Sequence, residues 1–182
     1  MIFPLFRRSK RDGTISALYG TIVAQARMAS FYRDFAVPDT PSGRFELIVL
    51  HLTLLIERLN ADSSLRELGQ AVFDRFCQDM DDNLREMGVG DLAVPKQMRR
   101  MGEAFYGRAQ AYRTALAAAD PEALAAVLGR NIYEAAAPSG KASRLAAYVR
   151  DAVRDLATQG AGDLAAGRLD FPDPAAAAVI AD

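Results

Sequence analysis

Phe73 to Arg108 reads FDRFCQDMDDNLREMGVGDLAVPKQMRRMGEAFYGR, and its reading decides the fold. An apolar stripe runs Leu65, Leu68, Val72, Phe76, Met80, Leu84 and Met87 at spacings of three and four, the pattern of a helix that buries one face. Gly88 stops it. A second stripe follows at Val94, Met98, Met101, Phe105, Ala109, Tyr112 and Leu116. The stretch predicts a helical hairpin with a short, Gly-containing turn. Its arms differ in charge. Asp79, Asp81, Asp82, Glu86 and Asp91 face a single base, Arg85, whereas Lys96, Arg99, Arg100, Arg108 and Arg113 face a single acid, Glu103. Antiparallel pairing about the turn would bring Glu86 near Lys96 and Asp82 near Arg100. Two readings stay open: salt bridges across the hairpin, each contributing about 0.2–1 kcal/mol if exposed, or a charged platform for a partner.

Working outward, Ala61 to Ser64 is a turn into the first arm, with Asp62 or Ser63 as N-cap and Glu67 placed for a capping box. Before it, Phe45 to Asn60 is apolar on nearly every side and predicts a central helix. His51 lies inside that helix and is expected to be a hydrogen-bonded core residue. Val37 to Gly43, with two prolines and a glycine, is the clearest break. Thr14 to Phe35 reads as one long helix with Thr14 or Ser16 as its cap. Met1 to Asp12 has an apolar tip and a basic cluster, Arg7, Arg8, Lys10 and Arg11. It is too short to span a bilayer, and is expected to be a frayed terminus or a weak anchor on an anionic membrane or ribosomal RNA.

After the second arm, Asp120-Pro121-Glu122 opens a further helix with the stripe Leu124, Leu128 and Ile132. Another helix runs from about Ala142 to Gln159. Gly160 to Asp182 lacks a sustained stripe and is expected to be a largely loose, mildly acidic tail with room for one short helix. The prediction is an all-α, bundle-like single compact domain of about five or six helices. Residues 1–13 form a basic segment, 14–159 the helical domain and 160–182 the tail.

The 182 residues suit one domain, and 51% apolar with 25% charged residues is ordinary globular composition. A net charge of −1 provides no global field for nucleic acid, and no DNA partner is expected. Cys77 is the only cysteine and His51 the only histidine, which excludes a disulfide framework and leaves too few soft ligands for zinc. The carboxylates Asp79, Asp82 and Glu86 share a face, but di-metal bundles need Glu-x-x-His pairs that are missing. No phosphate-binding loop, dinucleotide fingerprint, nucleophile elbow or HExxH occurs. The residues themselves reach an all-α domain that binds a partner rather than catalyses.

The run MDDNLREMGVGDLAVPKQMRRMGEAFYGR, Met80 to Arg108, resembles the signature of the ubiquinol–cytochrome c chaperone family. So does LYGTIVAQARMASFYRDFAVPDTPSGRFELIVLHLTLLIERL, Leu18 to Leu59. The resemblance implies a non-enzymatic assembly factor for respiratory complex III that binds newly made cytochrome b, with no cofactor. It implies a second small assembly factor as a further partner; the ribosome is a separate expectation that rests on the bases Arg7 to Arg11 and the Lys96–Arg113 arm. The N-terminal extension of mitochondrial members is absent, so the expectation is a bacterial, cytoplasmic protein, free or peripheral on the cytoplasmic face of the inner membrane. Carried over from the motif as partner-binding residues are Asp82, Asn83, Arg85, Glu86, Asp91, Lys96, Tyr106 and Arg108. Gly88, Gly90 and Gly107 are expected to set backbone shape. The runner-up is a pocket for a lipid, quinone or other hydrophobic small molecule, supported by the apolar central helix and the Met and Phe residues of the hairpin.

Overall fold

The structure is a computed structural model that describes residues 3–133 and 140–179, with side chains from 11 to 133 and from 140 to 177. The side chains of Ile2 to Lys10 and the Pro138-Ser139 turn lie outside the described residues. Every regular element among them is a helix. In chain order these are α1 (Phe3–Ala26), α2 (Ala29–Arg33), α3 (Pro41–Asn60), α4 (Arg66–Glu86), α5 (Val94–Ala117), α6 (Glu122–Ile132), α7 (Lys141–Thr158), α8 (Ala161–Ala165) and α9 (Pro174–Val179).

Helix α3 is the axis. It packs against α1, α4, α5, α6 and α7, and it buries Leu47, Val49, Leu50, Leu52, Leu54, Leu55 and Leu59, which point to all sides. Its start is built by the Pro38–Gly43 loop. Thr40 Oγ1 accepts from the Gly43 amide at 3.1 Å, and Pro41 occupies the first turn, where its missing N–H costs nothing. A Cβ on Gly43 would stand 2.0 Å from the Pro38 carbonyl oxygen, so only glycine lets the loop close this tightly.

His51 is fully buried on α3, and both ring nitrogens are engaged. Nδ1 lies 2.7 Å from the Leu47 carbonyl, which can only accept, so the proton sits on Nδ1. Nε2 then accepts from the Tyr148 hydroxyl at 2.8 Å. That hydroxyl accepts from Gln25 Nε2 at 2.9 Å, and Gln25 also donates to the Pro172 carbonyl at 2.9 Å. One chain of hydrogen bonds thus ties α1, α3, α7 and the C-terminal segment together. Burial pushes the His51 pKa down to about 4 and raises that of Tyr148. The expected core histidine is what the structure shows.

Several boundaries differ from the sequence reading. Helix α1 runs unbroken through Gly13, so neither Thr14 nor Ser16 caps it, and residue 13 is not a structural boundary. It ends at Ala26; Met28 is extended, with ψ 128°, and α2 follows as a separate short helix. The capping box at α4 is absent: Asp62 accepts from Ser64 N at 2.9 Å and Ser64 Oγ at 2.7 Å within the turn, leaving Leu65 as N-cap with no side-chain hydrogen bond. At α6 the N-cap is Pro121 rather than Asp120, although Asp120 Oδ1 still accepts from Glu122 N at 2.9 Å.

The tail is a correction. Residues 160–173 are not loose but form a strap across α1 and α7. Leu164 and Leu169 are buried, and the Phe171 ring stands edge-on to His51 at 5.1 Å. Gln159 donates to the Asp170 carbonyl at 2.7 Å and accepts from its amide at 3.1 Å. Gly167, at φ +82°, lets the strap turn where a Cβ would lie 3.3 Å from the Thr14 Cα.

Candidate partner-binding surface

Helices α4 and α5 form the expected hairpin, and its tip is shaped by the backbone. The Gly88 amide donates to the Arg85 carbonyl at 2.9 Å and the Val89 amide to the Leu84 carbonyl at 3.0 Å. This closure places Gly88 at φ +82°, a conformation that glycine adopts without strain. Gly90 accepts from Ala93 and Val94 at 2.7 and 3.2 Å to start α5, and buried Val94 pins that end. Of the three glycines expected to set shape, only Gly88 needs a left-handed backbone. A Cβ on Gly102 or Gly107 would meet nothing within 4 Å, so no close helix contact requires glycine at either position.

The tip presents two apolar side chains. Met87 is 72% and Leu92 99% exposed. Met87 falls off the buried stripe because α4 ends at Glu86 and the next residue turns away. Leu92 belongs to neither apolar stripe, so periodicity did not flag it; its place between Asp91 and Pro95 in a turn was the available signal.

The salt bridges expected across the hairpin do not form. Glu86 with Lys96 and Asp82 with Arg100 are not ion pairs, and none of these four has an ionic partner among the described residues. The ion pairs at the tip are those of Arg85 with two other acids. Its Nε donates to Asp81 Oδ2 at 2.6 Å and its Nη1 to Asp91 Oδ1 at 2.5 Å, across the turn rather than across the arms. Hydrogen bonding to Asp81 holds the Arg85 guanidinium above its ordinary pKa. Asn83 donates to the Asp79 carbonyl at 2.6 Å. Asp79 faces inward, taking a 2.8 Å hydrogen bond from Tyr19 on α1.

The bases of the second half of α5 turn the other way. Arg108 makes a two-pronged contact with Glu46 of α3: Nε donates to Oε2 at 2.5 Å and Nη2 to Oε1. The Glu46 side chain is only 5% exposed and that of Arg108 25%. Burial pushes the Glu46 carboxyl up and Arg108 pulls it back. Arg113 likewise holds Glu57 of α3, at 2.5 Å. Tyr106, 62% exposed, has its ring tilted against Phe73 at 5.7 Å and edge-on to Phe105 at 5.6 Å.

The structure therefore brings Asp82, Asn83, Arg85, Glu86, Asp91 and Lys96 together at the tip. It places Tyr106 farther along α5 and commits Arg108 to an internal ion pair. His51 is sealed, and no group of three or more His, Cys, Asp or Glu side chains that could hold a metal occurs among the described residues. No helix among them is long and apolar enough to cross a membrane.

The model of the family described as ubiquinol-cytochrome C chaperone matches residues 33–171. Ubiquinol-cytochrome-c reductase complex assembly factor 1 of Xenopus laevis is 25% identical over 149 residues, covering 81% of this chain and 74% of the frog protein. The Drosophila melanogaster protein of that name is 26% identical over 144 residues, covering 75% of this chain and 55% of the fly protein. The crystal structure of the Cbp3 homolog from Brucella abortus superposes with a TM-score of 0.86 at 41% identity, covering 96% of this chain and 98% of that one. With the match spanning α3 through the strap, the helices that build both the core and the hairpin tip, the chain belongs to the ubiquinol-cytochrome C chaperone family.

Proposed function

We propose that this chaperone acts by binding newly made cytochrome b during assembly of ubiquinol–cytochrome c reductase, and that the hairpin tip is the surface that binds it. The observation that carries this reading is the division of the motif's charges. Asp82, Glu86 and Lys96 are exposed and lack an ionic partner, and they border the exposed Met87 and Leu92. Side chains that fold stability does not use, arranged as an apolar centre in a charged rim, fit the anatomy of a protein interface. Asn83, Arg85 and Asp91 shape that rim; Tyr106, farther along α5, lies outside it. A membrane protein emerging from synthesis exposes apolar segments that aggregate unless covered. Binding alone answers that need, so the reading includes no catalytic step and no cofactor. Its place of action is the cytoplasmic side of the membrane that receives the client.

The test is recovery of cytochrome b with the tagged chain from membranes of the native host, compared with Asp82→Lys/Glu86→Lys. The reading expects wild type to recover cytochrome b and the double reversal to lose it at unchanged helicity. Recovery of the ribosome or of a small protein in place of cytochrome b would reassign the tip to that partner.

A further inference from the structure

Two apolar recesses lie along α5, away from the hairpin tip. One, about 300 Å³, is framed by Ile56, Gly69, Phe73, Phe105 and Tyr106. The other, about 390 Å³, is framed by Leu54, Ala61, Tyr112, Leu116, Val153 and Leu156. They flank the C-terminal turns of α3, with Ile56 and Asn60 lining the first and Leu54, Glu57, Arg58 and Ala61 the second. Single cavities of this size stand at the bottom of the range for small-molecule sites, about 300–1,000 Å³.

Their spacing is the informative feature. Phe105 and Tyr106 line the first recess, and Tyr112 and Arg113, each seven residues further on, line the second. Seven residues of helix advance about 10.5 Å, two turns. A second helix laid along α5 would meet both recesses with side chains at i and i+7, the register by which amphipathic helices seat in grooves. The charges around the recesses are also one-sided. Arg58, Arg66 and Arg113 line them against Glu57 alone, and Arg113 already holds that glutamate. Arg58 points its guanidinium at the Leu156 and Gln159 carbonyls at 2.9 and 2.6 Å, so no carboxylate neutralises it directly.

We infer that this face is a docking groove for an amphipathic helix of a partner protein, with two large apolar anchors at i and i+7 and acidic side chains between them. It is distinct from the hairpin tip and depends on neither the tip nor the identity of its client. One anchor fills the Phe73–Phe105–Tyr106 notch and the other the Leu54–Leu116–Val153 cleft, while the acidic side chains meet Arg66 and Arg58.

The experiment places the photo-crosslinker benzoylphenylalanine at Tyr106 or at Ala117 of the full chain in native host cells and maps the attached residues by mass spectrometry. Ala117 is exposed at the mouth of the larger recess. The expected result is attachment from both positions to a single partner segment, at sites about two to three turns apart on one helical face with acidic residues between. Tyr106→Ala and Ala117→Arg should each lower its recovery about tenfold with Tm unchanged, and Asp82→Lys/Glu86→Lys should leave it intact. Attachment to unrelated proteins, to a basic or non-helical segment, or to lipid would overturn the inference. So would the absence of adducts at both positions.

Discussion

The two halves of α5 carry the same kind of charge and use it differently. Near the hairpin tip, Lys96 and Arg100 stand in solvent without an ionic partner among the described residues, as do Asp82 and Glu86 on α4. Two to three turns later, Arg108 and Arg113 are bound to Glu46 and Glu57 of α3. The first half follows a turn that stands clear of the bundle, whereas the second crosses α3, the most enclosed helix of the fold. Over α3, Arg108 meets Glu46, an acid that burial has made costly to leave alone, while Arg113 meets Glu57 at the surface. A base at the tip meets water, where pairing contributes little. One contiguous motif thus holds residues that build the molecule and residues left over for a partner.

The sharpest way to break this comparison is Arg108→Met. It strands the Glu46 carboxylate in the interior and should cost about 3–5 kcal/mol. Glu46 already titrates above its ordinary value because of burial, and losing Arg108 raises it further. A folded-state pKa above the unfolded one means that the native state binds the extra proton. Stability of the variant should therefore fall as pH rises through the Glu46 titration and recover on acidification. Urea unfolding at about pH 5 and about pH 8 checks this; an equal loss at both would show that Glu46 is not the group left unpaired.

Next in size is the polar chain through the core. Tyr148→Phe removes the hydrogen bond to His51 Nε2 and one of the two acceptors of Gln25. A buried group left unsatisfied costs about 1–3 kcal/mol, and a similar drop in unfolding free energy is expected. His51 also predicts the wild-type acid limit. Its folded pKa of about 4 lies below the ordinary 6.5, so the neutral form is the one the fold holds. The associated stability is complete above the unfolded value and is lost as pH falls from there toward the folded value, on the order of 3 kcal/mol in all. Denaturant midpoints that stay flat across that window would contradict the sealed, neutral histidine.

A smaller effect sharpens the fold side. Ala36 sits at φ 55°, where the chain leaves α2 and the Val37 amide returns to the Phe31 carbonyl at 3.0 Å. Ala36→Gly should raise stability by about 1 kcal/mol, read as a higher Tm, because glycine carries no Cβ into that conformation.

The central helix and the hairpin were legible because each rests on a local signal, an all-round apolar run for α3 and two stripes of spacing three and four for α4 and α5. The break between α1 and α2 was not, since Arg27-Met28 contains neither glycine nor proline and the turn follows from how Phe31 and Phe35 pack. The strap was misread for a related reason. Leu164, Leu169 and Phe171 each fill a separate place on a surface built by α1, α3 and α7, so they show no period of their own. Of the motif residues, those at the tip were placed together by their closeness in sequence. The partner of Arg108 lies 62 residues away, a pairing that only the helix crossing creates.

The most direct test measures stability and client recovery side by side for Asp82→Lys/Glu86→Lys. The account predicts an unfolding free energy within about 0.5 kcal/mol of wild type, as for other exposed substitutions, together with loss of cytochrome b from the purified complex. Undiminished recovery of cytochrome b by a stably folded double variant would contradict it, and the tip would then be no more than a solvated turn.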